Sequence, residues 1–293
     1  MIQIASSDVN PEAHSVFRLH HPDGDLALKL DLDGVETGRP AREFKALTRL
    51  TPYFGKIADA SVVVPVWSDP DQIGLITKFV LGPTALQSAT DDPSPENLAL
   101  LGADGAKFLN VLHSAEPSED VGYWPDWVIR RLSTMSSKTG TRSPQIGVAE
   151  CNRLIQRYRQ ISNAQRGTPC LKTLAHGDFH GGNLIVSDLG ATGLDMTEIC
   201  RKLGLYDVVD YLTSLDIQRR DGDGQMTDLG LHPVLDDAFM QTYRYPLPRE
   251  VLRCAMLGKW LILTFKITHA RHAASRLQRA KLTQLCARIA HMT

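Results

Sequence analysis

The sequence predicts an α+β fold in two lobes: a small antiparallel sheet with one packed helix, then a larger, mainly helical lobe. Three observations carry that expectation. A hairpin pattern occupies residues 14–32, the character of the chain changes after Leu81-Gly82-Pro83, and the residues after Pro248 read as one or two long helices. At 293 residues the chain has room for two units of about 150 residues each. The expected division is 1–82, the small lobe, and 83–293, the helical lobe.

In order, HSVFRLH and LALKLDL are two strands separated by Pro22-Asp23-Gly24-Asp25, a strong turn sequence. Leu26, Leu28, Leu30 and Leu32 alternate onto one face, expected to be the packed one, which leaves Ala27, Lys29 and Asp31 on the other. A helix follows over Pro40–Leu50, with proline suited to its first turn and Phe44, Leu47 and Leu50 as its apolar stripe. Ser61–Val66 and Ile73–Val80 are expected to be two further strands. Ser94 then caps a helix carrying Leu98, Leu101, Phe108, Leu109 and Leu112 at helical spacing. Residues 133–147 read as loop and Ala149–Ser162 as helix. Thr173–Val186 holds two short apolar runs around a glycine-rich loop. Near the end, Leu261, Leu263, Phe265 and Ile267 are expected to face the core.

Composition narrows the function classes. Basic and acidic side chains nearly balance, 32 against 33, and no Lys/Arg-rich run is interleaved with aromatics, so a nucleic-acid partner is not expected. Five scattered cysteines without a C-x-x-C pair argue against a disulfide framework or a zinc knuckle and suit a reducing compartment. No basic-then-apolar leader opens the sequence, and the apolar stretch Ala255–Ile267 is too short to span a bilayer and is interrupted by Lys259 and Lys266. The expectation is a cytoplasmic protein with no membrane partner.

The richest segment for chemistry is Ala175-His176-Gly177-Asp178-Phe179-His180-Gly181-Gly182-Asn183-Leu184-Ile185-Val186. Its three glycines disfavour a helix and favour a tight loop that leads into a short strand. Such a loop can aim Asp178 and Asn183 into one cavity. Gly193-Leu194-Asp195 follows, and Asn183 with Asp195 supplies the few hard oxygen donors that suit Mg²⁺ beside phosphate oxygens. His176 and His180 share the spacing of a zinc-protease helix, but the glycines exclude that helix and no glutamate follows His176.

HGDFHGGN, then Leu194-Asp195, then Tyr206-Asp207 resembles the catalytic region of the aminoglycoside phosphotransferase and choline kinase-like family, relatives of protein kinases. Ala27-Leu28-Lys29 on the second strand and Glu43 on the following helix extend the resemblance, which runs from about residue 14 to 212. It implies a protein kinase-like fold that uses ATP or another nucleoside triphosphate with Mg²⁺. It also implies transfer of a phosphoryl group to a hydroxyl of a small molecule: aminoglycoside-like, a sugar or an amino alcohol. Under it Asp178 takes the acceptor's proton, His176 braces the loop and Asp207 anchors it. Asn183 and Asp195 hold Mg²⁺, Lys29 reaches the α- and β-phosphates, and Ala27 with the backbone of Phe79 and Val80 borders the adenine.

Two further points rest on the residues themselves. Glu43 lies near an apolar stripe, and neither Ala46 nor Leu47 can neutralise it, so Lys29 is its natural partner. The stretch Ala5–His14, where the family carries its phosphate-covering loop, has no glycine. That departure motivates a second reading, a catalytically weak nucleotide-binding regulatory module. A protein kinase is disfavoured because neither D-F-G nor A-P-E occurs. Asp216, Asp221, Asp223, Asp236 and Asp237 could line a site for a cationic acceptor, though a solvated loop is the simpler expectation for them.

Overall fold

The computed structural model describes residues 2–6, 14–57, 59–139, 146–217, 225–268 and 276–293. The glycine-free stretch lies for the most part outside these residues, as do Asp221 and Asp223.

The first sheet is antiparallel, built from β1 (Ile2–Ser6), β2 (His14–Leu19), β3 (Leu26–Asp31), β5 (Pro65–Ser68) and β6 (Gly74–Lys78) in the order β1-β2-β3-β6-β5. β1 is an edge strand that the sequence pattern did not signal. After β3 come the single turn α1 (Gly34–Thr37) and the helix α2 (Arg39–Phe54). Leu47 and Leu50 of α2 are fully buried, as expected of the stripe, together with Phe54.

The packed face of this sheet is the opposite of the one expected. In register, Lys29 lies across from Val16 on one side and Leu75 on the other, and α2 covers this face, where Leu75 is 1% exposed. Leu26, Leu28 and Leu30 are only half-buried on the outer face, and Leu32 falls past the strand's end at 58% exposure. Alternation defines two faces of a strand, but which one receives a helix is decided by the apolar side chains of other elements, here Leu47, Leu50 and Leu75.

Ser61–Val66, expected as one strand, is two. β4 (Ala60–Val62) pairs in parallel with β10 (Gly190–Gly193), which also pairs with β9 (Leu184–Ser187), whereas β5 begins at Pro65 on the edge of the first sheet. Pro65 has no N–H to donate to a ladder, so a strand start at a sheet edge is where it fits.

The rest is mainly helical: α3 (Ala85–Asp91), α4 (Pro95–Ser114), α5 (Asp126–Thr139), α6 (Val148–Asn163), α7 (Leu205–Asp216), α8 (Pro233–Thr242), α9 (Arg249–Thr268) and α10 (Arg276–Met292). A small third sheet has the order β11-β8-β7, from β7 (Glu119–Gly122), β8 (Pro169–Ala175) and β11 (Cys200–Leu203). Ser94 caps α4 as expected, its hydroxyl accepting from the Asn97 N–H at 3.3 Å. Residues 133–139, read as loop, complete α5 instead, because Leu132 is buried and its helix packs on α6 and α9. Leu261 and Phe265 of α9 are in the core, as expected.

Asp216 and Asp236 are not loop acids. Both are buried, Asp216 with Arg288 Nε at 2.9 Å and Asp236 with Arg249 at 2.6 Å. These ion pairs tie α10 to α7 and α9 to α8, since a buried carboxylate needs such a partner. Cys151, Cys170 and Cys254 are buried thiols, and none of the five cysteines is in a disulfide. Among the described residues no helix is long and apolar enough to cross a membrane.

Candidate active site

The glycine-rich segment forms the loop expected of it. β8 ends at Ala175, residues 176–180 form an irregular loop, Gly181–Asn183 make one 3₁₀ turn, and β9 leaves from Leu184. Phe179 fixes this path. It is fully buried and stacks between Phe108 at 5.2 Å and Tyr211 at 4.8 Å, in a row of aromatic rings that runs from Phe54 of α2 to Phe239 of α8. With Phe179 buried, its neighbour Asp178 faces solvent, 64% exposed. Gly177 has φ +95°, and a Cβ there would lie 2.2 Å from the Glu198 carbonyl oxygen, so only glycine fits. Gly181 donates its N–H to the Ser214 hydroxyl at 2.8 Å.

Asp207, at the start of α7, anchors the loop from beneath. Its Oδ2 accepts from the His176 N–H at 2.6 Å and its Oδ1 from the Gly177 N–H at 3.1 Å. His113 Nε2 lies 3.3 Å away and Lys202 Nζ 3.5 Å away. His176 is buried and kept neutral, its pKa drawn down by burial. Its Nε2 bonds to the Leu194 carbonyl at 2.8 Å, which joins the loop to the residue before Asp195. Burial alone raises the Asp207 carboxyl, but the His113 hydrogen bond and the Lys202 charge outweigh it and bring the pKa down to about 2. A depressed carboxylate contributes stability above its unfolded value near 4 and loses it as pH falls toward 2. Asp207→Asn is therefore expected to cost about 2 kcal/mol of unfolding free energy at pH 7, and the gap to the parent protein is expected to narrow below pH 4. Urea unfolding of the two proteins across pH 2–7 checks it, and a pH-independent gap contradicts it.

A second cluster forms where α2, β3 and the residues after β10 meet. Lys29 Nζ lies 2.6 Å from Glu43 Oε2 and 3.1 Å from Asp195 Oδ1. Burial lowers the Lys29 pKa, but the two carboxylates outweigh it and hold the ammonium above its usual range. Burial raises Asp195, and Lys29 more than offsets that, so the carboxyl stays ionised well below its usual range. Thr197 adds a hydroxyl 2.6 Å from Asp195 Oδ1 and 3.3 Å from Glu43 Oε2. Asp195 itself has φ +52°, a left-handed conformation that non-glycine residues adopt at a cost of roughly 1–2 kcal/mol. Strain of this kind persists where surrounding structure enforces it, commonly at functional sites.

These residues line one crevice of about 300 Å³ whose wall includes Ala27, Lys29, Glu43, Phe79, Val80, Asn183 and Asp195. Every residue assigned from the sequence to nucleotide or metal therefore borders the same space. The Phe79 N–H is already bonded to the Asp25 carbonyl at 2.9 Å, and the Phe79 ring lies under Arg18 at 4.5 Å, so its side chain is pinned. Asn183 gives its amide N–H to the Asp178 carbonyl at 2.9 Å, which leaves its oxygen as the end available to a cation. An ionised carboxylate and an amide oxygen are the hard donors that Mg²⁺ takes, so the residues present fit that ion. Asp178 borders a separate cavity of about 500 Å³ between α5, α7 and α9. Asp178 and His176 thus belong to the loop between the two spaces.

Sequence reasoning missed His113 and Thr197. His113 lies in the last turn of an ordinary amphipathic helix, and nothing near Thr197 distinguishes it from a surface threonine; only the fold brings them to Asp207 and Asp195.

A profile of the phosphotransferase enzyme family matches residues 9–250. No curated relative matches the sequence. Among solved structures, a choline/ethanolamine kinase family protein from Mesorhizobium loti aligns over 100% of this chain and 91% of its own, with a TM-score of 0.63 at 13% identity. An amicoumacin kinase solved with AMP-PNP, Ca²⁺ and Ami aligns over 98% and 87%, with a TM-score of 0.61 at 13% identity. A glucosamine kinase solved with glucosamine, ADP and inorganic phosphate aligns over 98% and 78%, with a TM-score of 0.60 at 14% identity. The fold is thus the two-lobed, protein kinase-like one, and with the family profile spanning most of its length, the chain belongs to the phosphotransferase enzyme family.

Proposed function

We propose that this enzyme transfers the γ-phosphoryl group of ATP, with Mg²⁺, to a hydroxyl of a small molecule. One observation carries the reading: the Lys29 amine on the small sheet and the Asp195 carboxylate from beyond β10 meet at 3.1 Å in a crevice beside the loop that bears Asp178. Residues 1–82 form the nucleotide-binding lobe in this reading, and 83–293 the lobe that holds the catalytic loop and the acceptor.

The residues divide the work by position. Lys29, held by Glu43, meets the α- and β-phosphates. Ala27 leaves room for the adenine ring, and the Val80 backbone borders it, since the Phe79 N–H is already engaged. Asn183 and Asp195 would hold Mg²⁺, which would neutralise phosphate charge there. Asp178 orients the acceptor hydroxyl and takes its proton as the acceptor oxygen bonds to the γ-phosphorus and the bond to the β–γ bridging oxygen breaks. His176 and Asp207 position the loop without touching substrate. The complete set at positions 29, 178, 183 and 195 favours an enzyme over a binding module.

Ala27→Phe tests the nucleotide site without disturbing an ion pair, because the new ring enters the crevice rather than the core. Calorimetric titration of the parent with ADP·Mg²⁺ is expected to show binding, and the variant is expected to bind roughly 100-fold more weakly, about 2.7 kcal/mol. No ADP binding by the parent, or unchanged binding by the variant, overturns the assignment.

A further inference from the structure

The cavity beside Asp178 has an unusual charge for a site that would hold an amine. Its wall carries Arg131, Lys202, Lys259 and Lys266 against two acids, Asp178 and Asp210. Two of the cations are engaged. Lys259 Nζ lies 2.5 Å from Asp210, and Lys202 Nζ bonds to the Gly177 carbonyl at 3.1 Å and lies 3.5 Å from the buried Asp207. Among the described residues, Arg131 of α5 and Lys266 of α9 form no ion pair or side-chain hydrogen bond. Asp178 is reserved for the reacting hydroxyl. Two positive charges therefore remain on the wall, and neither borders the nucleotide crevice.

These cations are not scattered over a convex face, where a solvated side chain needs no explanation. They share a concave space that is also lined by the apolar side chains Val128, Val209, Ala255 and Ile262. Low-dielectric walls concentrate the field of like charges and make their repulsion costly unless an anion enters. Lys266 registers that crowding: its pKa is lowered by burial first and then by Lys259 and Arg131. Of the five acids that could have recognised a cationic acceptor, Asp216 and Asp236 are spent on Arg288 and Arg249, and Asp237 does not line this cavity. The Trp127 indole, 39% exposed and held by a 2.7 Å hydrogen bond to the Tyr206 hydroxyl, adds a flat aromatic face to the lining.

We propose that the acceptor is a small hydroxyl compound bearing a negative charge, a carboxylate or a phosphate, which Arg131 and Lys266 recognise while Asp178 receives its hydroxyl. The proposal rests on the phosphotransferase reading above and specifies its acceptor class. A protein acceptor is disfavoured because the charges line a cavity of small-molecule size, about 500 Å³.

The test compares four compounds on one hydroxyl skeleton with the ADP·Mg²⁺-loaded protein: glucosamine, glucose, glucuronate and glucose 6-phosphate. Calorimetry reads binding, and labelled ATP reads transfer. Glucuronate or glucose 6-phosphate is expected to bind more tightly than glucose and glucosamine, and the tighter of the two identifies the anion. Lys266→Glu, alone and with Arg131→Glu, is expected to weaken that binding about 10- to 100-fold, the range for a charge-assisted contact, with ADP titration reporting that each variant is folded. Glucosamine binding as tightly as the anions, no anion binding, or anion binding indifferent to charge reversal overturns the proposal. Absence of ADP binding by the parent instead overturns the phosphotransferase reading, so the two failures are distinct.

Discussion

Replacing Asp195 with asparagine is expected to lower turnover by at least about 10³-fold, with a steep rise in the Mg²⁺ needed for half-maximal rate. The substitution keeps the volume and one oxygen but removes the charge, which Lys29 keeps ionised despite burial. Phosphoryl transfer depends largely on positioning and on neutralising charge that spreads over the phosphate oxygens, so loss of a metal-holding carboxylate acts on the transition state itself. Folding should be affected little, because Lys29 retains Glu43 at 2.6 Å. Initial rates against Mg²⁺ concentration check the expectation, with thermal unfolding as control. An unchanged Mg²⁺ requirement contradicts it.

Asp178→Asn is expected to lower turnover about 10²- to 10⁴-fold, the range of a lost general base. Here the signature differs. Asp178 borders the acceptor cavity and not the nucleotide crevice, so affinity for ADP·Mg²⁺ should be preserved while the rate falls. Its carboxylate accepts no hydrogen bond from the protein among the described residues; the nearest ionisable neighbour is His180, at 3.9 Å. Removing its charge should therefore leave stability near the parent value. A variant that transfers phosphate at the parent rate to a confirmed acceptor removes Asp178 from the chemistry.

Much of this site was legible in the sequence because its residues depend on local rules. Three glycines within seven residues demand a loop, and alternation along β3 separates Lys29 from the leucines whichever face is packed. Glu43 beside an apolar stripe asks for a cation, and Lys29 lies 2.6 Å from it. What escaped reading depends on partners remote in the chain. The covered face of the first sheet is decided by α2 and Leu75. The break at Val63-Val64 is decided by β10, more than a hundred residues later, which claims β4 for a different sheet. His113 and Thr197 gain their roles only through Asp207 and Asp195. Asp216 and Asp236 are indistinguishable from loop acids until Arg288 and Arg249 reach them. The basic cavity wall is equally hidden, since Arg131, Lys202, Lys259 and Lys266 come from three elements and no two are adjacent in sequence.

The central claim is that a metal-bound nucleotide lies between Lys29 and the Asn183–Asp195 pair, and a crystal grown with ADP and Mn²⁺ in place of Mg²⁺ tests it most directly. The account predicts one anomalous peak at coordinating distance from the Asn183 side-chain oxygen and the Asp195 carboxylate, with the phosphates turned toward the Lys29 amine. Manganese held instead by His14, Asp31 and Asp33, whose ligand atoms lie within 4.8 Å of one another where β3 gives way to α1, with no nucleotide in the crevice, would contradict it.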